Sequence, residues 1–324
     1  APDTLLDAAT NQSMATAEFT PDGKGYCLLR VNEDFSSLKL WRTEPLADGT
    51  HELISSNLAR EPLAMTLSRT NLVLMAAGQD TVSIQNFISG REWRRMKSPI
   101  PLLGPIVASR DGRWLAALAV SNHVVVWDAG TGVPAAVFQW PNAPDSRPIA
   151  GRGSLLFSPD GAKLWVAFPG AATVACMDWQ TGEFPIRLEG HTRQVLALAS
   201  SSDGTLLATG SADATARLWD AATGAPIAVL PGVSGGVSAV SFSPDGRTLA
   251  TGHNDGPVKL WSVRARTEIA TFLAHNSIVQ SVLFSPDGNS LASASYDGTA
   301  RLWRAPSPAE TDSTADAGKS GGDL

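Results

Sequence analysis

Three observations on the 324-residue chain predict an all-β fold of seven similar units, each a four-stranded antiparallel sheet. A Ser-Pro-Asp-Gly tetrapeptide recurs, alternating apolar runs flank it, and a tryptophan follows at a fixed distance. Its aspartates, or those of close variants, are Asp287, Asp245, Asp203, Asp160 and Asp111, at intervals of 42, 42, 43 and 49 residues. A fixed period of this size marks stacked supersecondary units. Thr20-Pro21-Asp22-Gly23 adds a further copy and Ser68-Arg69-Thr70-Asn71 a degenerate one, so seven units are expected.

Within a unit, the first strand precedes the tetrapeptide. In Val237, Val240 and Phe242 the apolar step is three and then two, so strict alternation breaks once and a β-bulge is expected. The tetrapeptide is a hairpin turn: proline presets φ, aspartate binds nearby backbone, and glycine takes the left-handed conformation. The second strand follows, as in Leu249-Ala250-Thr251. The third surrounds a tryptophan 16 residues after the turn aspartate, at Trp127, Trp219, Trp261 and Trp303. Asp128-Ala129-Gly130-Thr131-Gly132 and Asp220-Ala221-Ala222-Thr223-Gly224 then turn into a fourth.

A Gly190-His191 entry, Asp213 and the closing Trp219-Asp220 complete the best copy. On these residues the chain resembles the WD-repeat β-propeller family, over roughly residues 14 to 304. The resemblance implies a seven-bladed β-propeller preceded by a lead at 1–13 and followed by a tail at 305–324. It also implies a relay of His, Ser or Thr, Asp and Trp inside a blade. His191, Thr209, Asp213 and Trp219 match it in the fifth unit; His275, Ser293, Asp297 and Trp303 match it in the seventh. The sixth keeps Thr251, Asp255 and Trp261 but has Val233 at the histidine position, so its relay is expected to be cut. Ser121 in the third unit and Met177 in the fourth replace the relay Asp and Trp, and those units are expected to rely on packing.

A buried carboxylate or indole N–H left unpaired costs about 1–3 kcal/mol, so the relay is expected to be structural rather than catalytic. Its recurrence in two units favours the same reading. Proline at 306 and 308 prevents a fourth strand after Trp303, and residues near 3 to 9 are expected to supply it, covering the sheet edge. The Pro-, Ser-, Gly- and Asp-rich residues 305–324 read as a disordered tail or linker.

Hydrophobic residues make up 43% of the chain and charged ones 17%, with a net charge of −6. Scattered basic residues in an acidic chain give no footprint for nucleic acid, and Arg91 to Lys97 reads as an exposed outer strand. Cys27 and Cys176 cannot make a disulfide scaffold or a four-thiolate zinc site. The five histidines lack metal-ligand spacing, and the turn aspartates lie a unit apart, too far for a calcium loop. No metal or cofactor is expected. No stretch approaches the ~20 apolar residues of a membrane span, and no signal peptide is evident, so a cytoplasmic location is expected.

The expected function is a non-enzymatic protein-interaction scaffold, a docking or sensor module for proteins or peptides, in a monomeric propeller. Its contacts are expected on the face bearing the His and Asp elements, at Thr192, Arg193, Gln194, Ser234, Asn254, Asn276, Ile278 and Tyr296. Tyrosine and arginine dominate interface hot spots, and Ile278 is expected to be an apolar residue in an exposed loop. The chain begins at Ala1, and WD-repeat domains resembling it occur attached to protein kinases, so a regulatory part of a larger signalling enzyme is the alternative. Asp128 to Gly132 with Trp140 is also similar to the blade motif of quinone-dependent dehydrogenase propellers. Those enzymes generally use eight blades and a calcium site, which the seven units here do not match.

Overall fold

The structure is a computed structural model. It describes the backbone at 4–8, 13–19, 25–31, 36–45, 51–59, 62–67, 72–77, 80–86, 92–140, 153–232 and 235–304. Side chains are described at 80–84, 94–102, 105–140, 153–232 and 235–304.

The described elements are all strands, grouped in four-stranded antiparallel sheets. The first sheet contains β2 (Ser13–Phe19), β3 (Gly25–Val31), β4 (Ser36–Pro45) and β5 (His51–Ala59). The second contains β6 (Pro62–Leu67), β7 (Leu72–Ala77), β8 (Thr81–Asn86) and β9 (Glu92–Lys97). The third contains β10 (Leu102–Ala108), β11 (Trp114–Ala119), β12 (His123–Asp128) and β13 (Pro134–Gln139). The fourth contains β14 (Ser154–Phe157), β15 (Lys163–Ala167), β16 (Val174–Asp178) and β17 (Glu183–Leu188). The fifth contains β18 (Val195–Ser200), β19 (Leu206–Ser211), β20 (Thr215–Asp220) and β21 (Pro226–Pro231). The sixth contains β22 (Val237–Phe242), β23 (Thr248–His253), β24 (Val258–Ser262) and β25 (Thr267–Phe272). The last joins β26 (Val279–Phe284), β27 (Ser290–Ser295) and β28 (Thr299–Arg304) to β1 (Thr4–Ala8), which pairs antiparallel with β28.

The recurring tetrapeptides form the turns between first and second strands. In Ser285 to Gly288 the serine hydroxyl donates to Asp287 Oδ1 at 2.5 Å and accepts from the Ser290 N–H at 2.9 Å. Asp287 Oδ1 accepts from the Asn289 N–H, and Gly288 has φ 76°. These bonds hold the Asp287 carboxyl below the usual carboxylate range, with Ser285 the main cause. The aspartate is thereby used as a turn clamp.

Pairing of the first two strands slips between Val195 and Ala197, Val237 and Ala239, and Val279 and Ser281, as a bulge requires. The first strand of each sheet lies beside the first strand of the next, and β2 lies beside β26. Close approach there needs small residues: a Cβ at Gly252 would come within 2.6 Å of Val279 Cγ1.

The core lies between sheets rather than at one centre. Ala208, Leu218, Val240, Phe242 and Trp261 fill one such layer and Ala250, Val258, Val282, Leu291 and Trp303 the next. Each layer withdraws apolar surface from water on both facing sheets. Among the described residues no helix is long and apolar enough to cross a membrane.

Candidate functional site

The strand alternation that places Thr209 and Ser211 on one side of β19 aims both toward the loop entering the fifth sheet. His191 in that loop is buried, and a single hydrogen-bonded chain runs through it. Trp219 Nε1 donates to Thr209 Oγ1 at 2.9 Å, and Thr209 Oγ1 donates to His191 Nε2 at 2.6 Å. His191 Nδ1 donates to Asp213 Oδ2 at 2.8 Å. The indole has only a donor, which fixes the polarity of the chain and gives the neutral Nδ1–H tautomer of His191.

Asp213 is the hub of the outer end. Its carboxylate accepts from the Thr192 N–H at 3.0 Å, the Thr215 N–H at 2.9 Å and the Thr215 hydroxyl at 2.6 Å. Desolvation disfavours its charge, but the bonds from Thr215, Thr192 and His191 outweigh that and hold its pKa at about 2. Burial pushes the His191 pKa down, against the opposing pull of Asp213.

The last sheet repeats the outer end and loses the inner one. His275 Nδ1 contacts Asp297 Oδ2 at 3.2 Å and Thr299 Oγ1 at 2.9 Å, and Ser293 Oγ donates to His275 Nε2 at 2.7 Å. Trp303, expected to end this relay, does not join it. Its Nε1 is buried with no hydrogen-bond partner among the described residues. The indole stacks instead on Phe272, with ring centroids 5.7 Å apart.

The sixth sheet keeps the inner end of the relay, through a histidine that the sequence reading did not assign to it. Trp261 Nε1 donates to Thr251 Oγ1 at 2.9 Å, and Thr251 Oγ1 bonds His253 Nε2 at 2.9 Å. His253 reaches the hydroxyl from the same strand, two residues on, which puts it on the same face as Thr251. It is 0% exposed, its Nδ1 has no partner among the described residues, and burial pushes its pKa down to about 4. Asp255, expected in this relay, is exposed, and among the described residues no hydrogen bond joins it to His253. The sequence signal for His253 was its Thr-x-His spacing. Thr215 and Thr299, also unforeseen, occupy equivalent positions two residues after the relay aspartates.

In the third sheet Ser121 is exposed with φ 55°, and the buried Trp127 has an unpartnered Nε1 among the described residues. Ala117 occupies the place of Thr209 there, so no hydroxyl is present to accept. Met177 in the fourth sheet is fully buried. Both sheets are held by packing, including a Trp114 and Trp179 pair with centroids 4.4 Å apart.

The expected contact residues surround these relay ends. Thr192, Arg193 and Asn276 are exposed, Tyr296 is 37% exposed, and Gln194 and Asn254 are half-buried. Ile278 is half-buried rather than fully exposed, and its carbonyl accepts from the Tyr296 N–H at 3.0 Å. Ser234 and Val233 lie outside the described residues, as do Arg91 and the tail at 305–324. Leu273, 88% exposed just before His275, is an apolar residue at this end that the sequence reading missed. Among the described residues no His, Cys, Asp and Glu group is arranged to hold a metal ion.

Comparison with known proteins matches the WD domain, G-beta repeat, at residues 182–220, 224–262 and 266–304. The chain is 62% identical over 40 residues to the protein Mut11 of Chlamydomonas reinhardtii, covering 12% of this chain and 11% of that one. It is 39% identical over 87 residues to a guanine nucleotide-binding protein subunit beta of Schizosaccharomyces pombe, covering 26% of each. It is 45% identical over 56 residues to the nuclear distribution protein nudF 2 of Aspergillus clavatus, covering 16% of this chain and 13% of that one. The matches thus span about a tenth to a quarter of these relatives' own lengths.

Proposed function

We propose that this WD-repeat chain, with repeats at 182–220, 224–262 and 266–304, is a seven-bladed propeller that acts as a non-enzymatic docking scaffold for other proteins or peptides in the cytoplasm. In this reading the ring occupies 14–304, and β1 closes it by completing the last blade. The observation that carries the function is the contrast at the relay end. His191, Asp213, His275 and Asp297 are committed to internal hydrogen bonds. Their immediate neighbours Thr192, Arg193, Asn276 and Tyr296 face solvent.

A nucleophile, base and orienter reading of Thr209, His191 and Asp213 is not supported by this geometry. Thr209 is 0% exposed and already accepts the Trp219 indole proton, so no substrate atom can reach its oxygen. Arginine and tyrosine on the surrounding loops match the composition of interface hot spots.

Affinity capture with the wild-type chain beside a Tyr296→Ala, Arg193→Ala variant of matched thermal midpoint tests the reading. Partners recovered by the wild type and lost by the variant are expected. Equal recovery by both would reject this face as the docking surface.

A further inference from the structure

The turns joining third and fourth strands differ in charge between sheets. In the third, fourth and fifth sheets each opens on an aspartate, Asp128, Asp178 or Asp220, whose Oδ1 accepts from a threonine N–H three residues on. Each also places a glycine in the left-handed region, with φ 77° at Gly132, 78° at Gly182 and 75° at Gly224. The sixth sheet departs from both. Ser262 replaces the aspartate, its Oγ accepting from the Ala265 N–H at 3.1 Å, and Arg266 takes the glycine's place at φ 61°.

A non-glycine residue held there is strained, and such strain points toward a use for the side chain. Arg264 and Arg266 are exposed in this turn, and Arg247 adjoins them: the Val263 N–H donates to the Arg247 carbonyl at 2.9 Å. Among the described residues Arg247 has one ion-pair partner, Asp245 at 3.9 Å, with its own side chain 87% exposed. A turn that elsewhere carries a carboxylate here carries two guanidinium groups beside a third.

The chain leaves the last sheet on this same side. Arg304 pairs with Ser290 as Ser262 pairs with Thr248. The tetrapeptide turns beside them pack together, Gly288 lying against the Pro244 ring. Trp303 stacks on Phe272 of β25, which holds the end of β28 against the sixth sheet. Beyond Arg304 the sequence carries Glu310, Asp312 and Asp316 before its first cation, Lys319. Five residues separate Arg304 from Glu310, and the six Cα-to-Cα steps extend up to about 20 Å.

We propose that Arg247, Arg264 and Arg266 form a docking surface for a carboxylate-rich extended peptide, and that its resident occupant is the acidic segment 310–316 of the same chain. Guanidinium groups pair with carboxylates through two parallel N–H donors, which suits them to a short acidic strand. A second acidic peptide reaches the surface only by displacing this segment. The proposal stands apart from the docking face proposed above, since it concerns the opposite end of the strands.

The test attaches a nitroxide to a Ser313→Cys substitution in the 324-residue chain carrying Cys27→Ser and follows backbone amide resonances. At low ionic strength the nitroxide is expected to broaden the amides of Arg264 to Thr267 and to leave those of Ala222 to Gly224 sharp. Broadening is expected to vanish near 1 M salt, where the Debye length is roughly 3 Å. It is also expected to vanish in Arg264→Glu, Arg266→Glu, and to return when Glu310→Lys, Asp312→Lys and Asp316→Lys are added. Equal broadening of both turns, or none, would overturn the proposal. Broadening seen only between an isotope-labelled chain and a separate nitroxide-bearing chain would overturn it too, by assigning the surface to a second copy.

Discussion

The fifth and last sheets carry the same His-to-Asp spacing of 22 residues, yet only the fifth connects its relay carboxylate to its buried indole. The two differ at the central hydroxyl, Thr209 against Ser293. Threonine's β-branch restricts χ1 and holds its oxygen where it meets both the indole and the imidazole. Serine rotates more freely, satisfies His275, and leaves the Trp303 N–H unpaired. The two relays thus differ by one methyl group beside the oxygen that the indole reaches in the fifth sheet and not in the last. The sixth sheet inverts the lesson: it keeps the threonine and the indole bond, and takes a histidine from a different backbone position.

Removing the histidines separates a connected relay from a broken one. His191→Ala is expected to destabilise by about 4 kcal/mol, since Asp213 and Thr209 both lose a partner and a cavity opens. His275→Ala is expected to cost less, because the indole there is already unpaired. Urea denaturation of the two variants measures the gap, and equal losses would break the comparison.

Acid extends it to the sixth sheet. The His253 pKa of about 4 lies below its ordinary 6.5, so the unfolded chain takes up the proton first as pH falls. Stability is therefore present above about pH 6.5 and lost progressively as pH falls to about 4, by up to about 3 kcal/mol. Folding stability followed from pH 7 to 4 is expected to fall less steeply in His253→Gln. An unchanged slope would show that His253 does not carry the acid response. Asp213 acts lower still, its contribution being lost as pH falls toward about 2.

Exchange of the central hydroxyls tests the methyl argument itself. Thr209→Ser is expected to destabilise, and Ser293→Thr to stabilise, each by about 1 kcal/mol. Slower exchange of the Trp303 indole proton in Ser293→Thr would identify the new bond directly. The smallest effect concerns the sixth sheet's turn, where Arg266→Gly relieves a left-handed backbone and is expected to stabilise by about 0.5 kcal/mol. A calorimetric midpoint at or below that of the wild type would show that no strain resides at Arg266.

The features legible in the sequence were those set by local chemistry. The Ser-Pro-Asp-Gly turns announce themselves because proline, aspartate and glycine each do their work within four residues. The bulge was readable from the step between Val237, Val240 and Phe242. The relay positions were readable from spacing, but their bonds were not. Whether Ser293 reaches an indole depends on a rotamer, and whether His253 bonds the hydroxyl depends on the orientation of its ring on the strand it shares with Thr251. Ile278 looked like an exposed loop residue because its half-burial and the bond from the Tyr296 N–H to its carbonyl are set by a partner 18 residues away. Arg264 and Arg266 drew no notice until their turn was set beside its counterparts.

Among the described strands, the pairing of β1 with β28 joins the earliest in the sequence to the latest. During synthesis Thr4 to Ala8 emerge early, and Thr299 is not added until nearly the whole chain has followed. At about 5–20 residues per second the interval is roughly 15 to 60 seconds. For that time one strand lacks its partner while the intervening sheets assemble. That pairing closes the longest loop among the described strand pairings, a slow, high-contact-order step. A chain lacking either strand would leave the edge of the last sheet open instead.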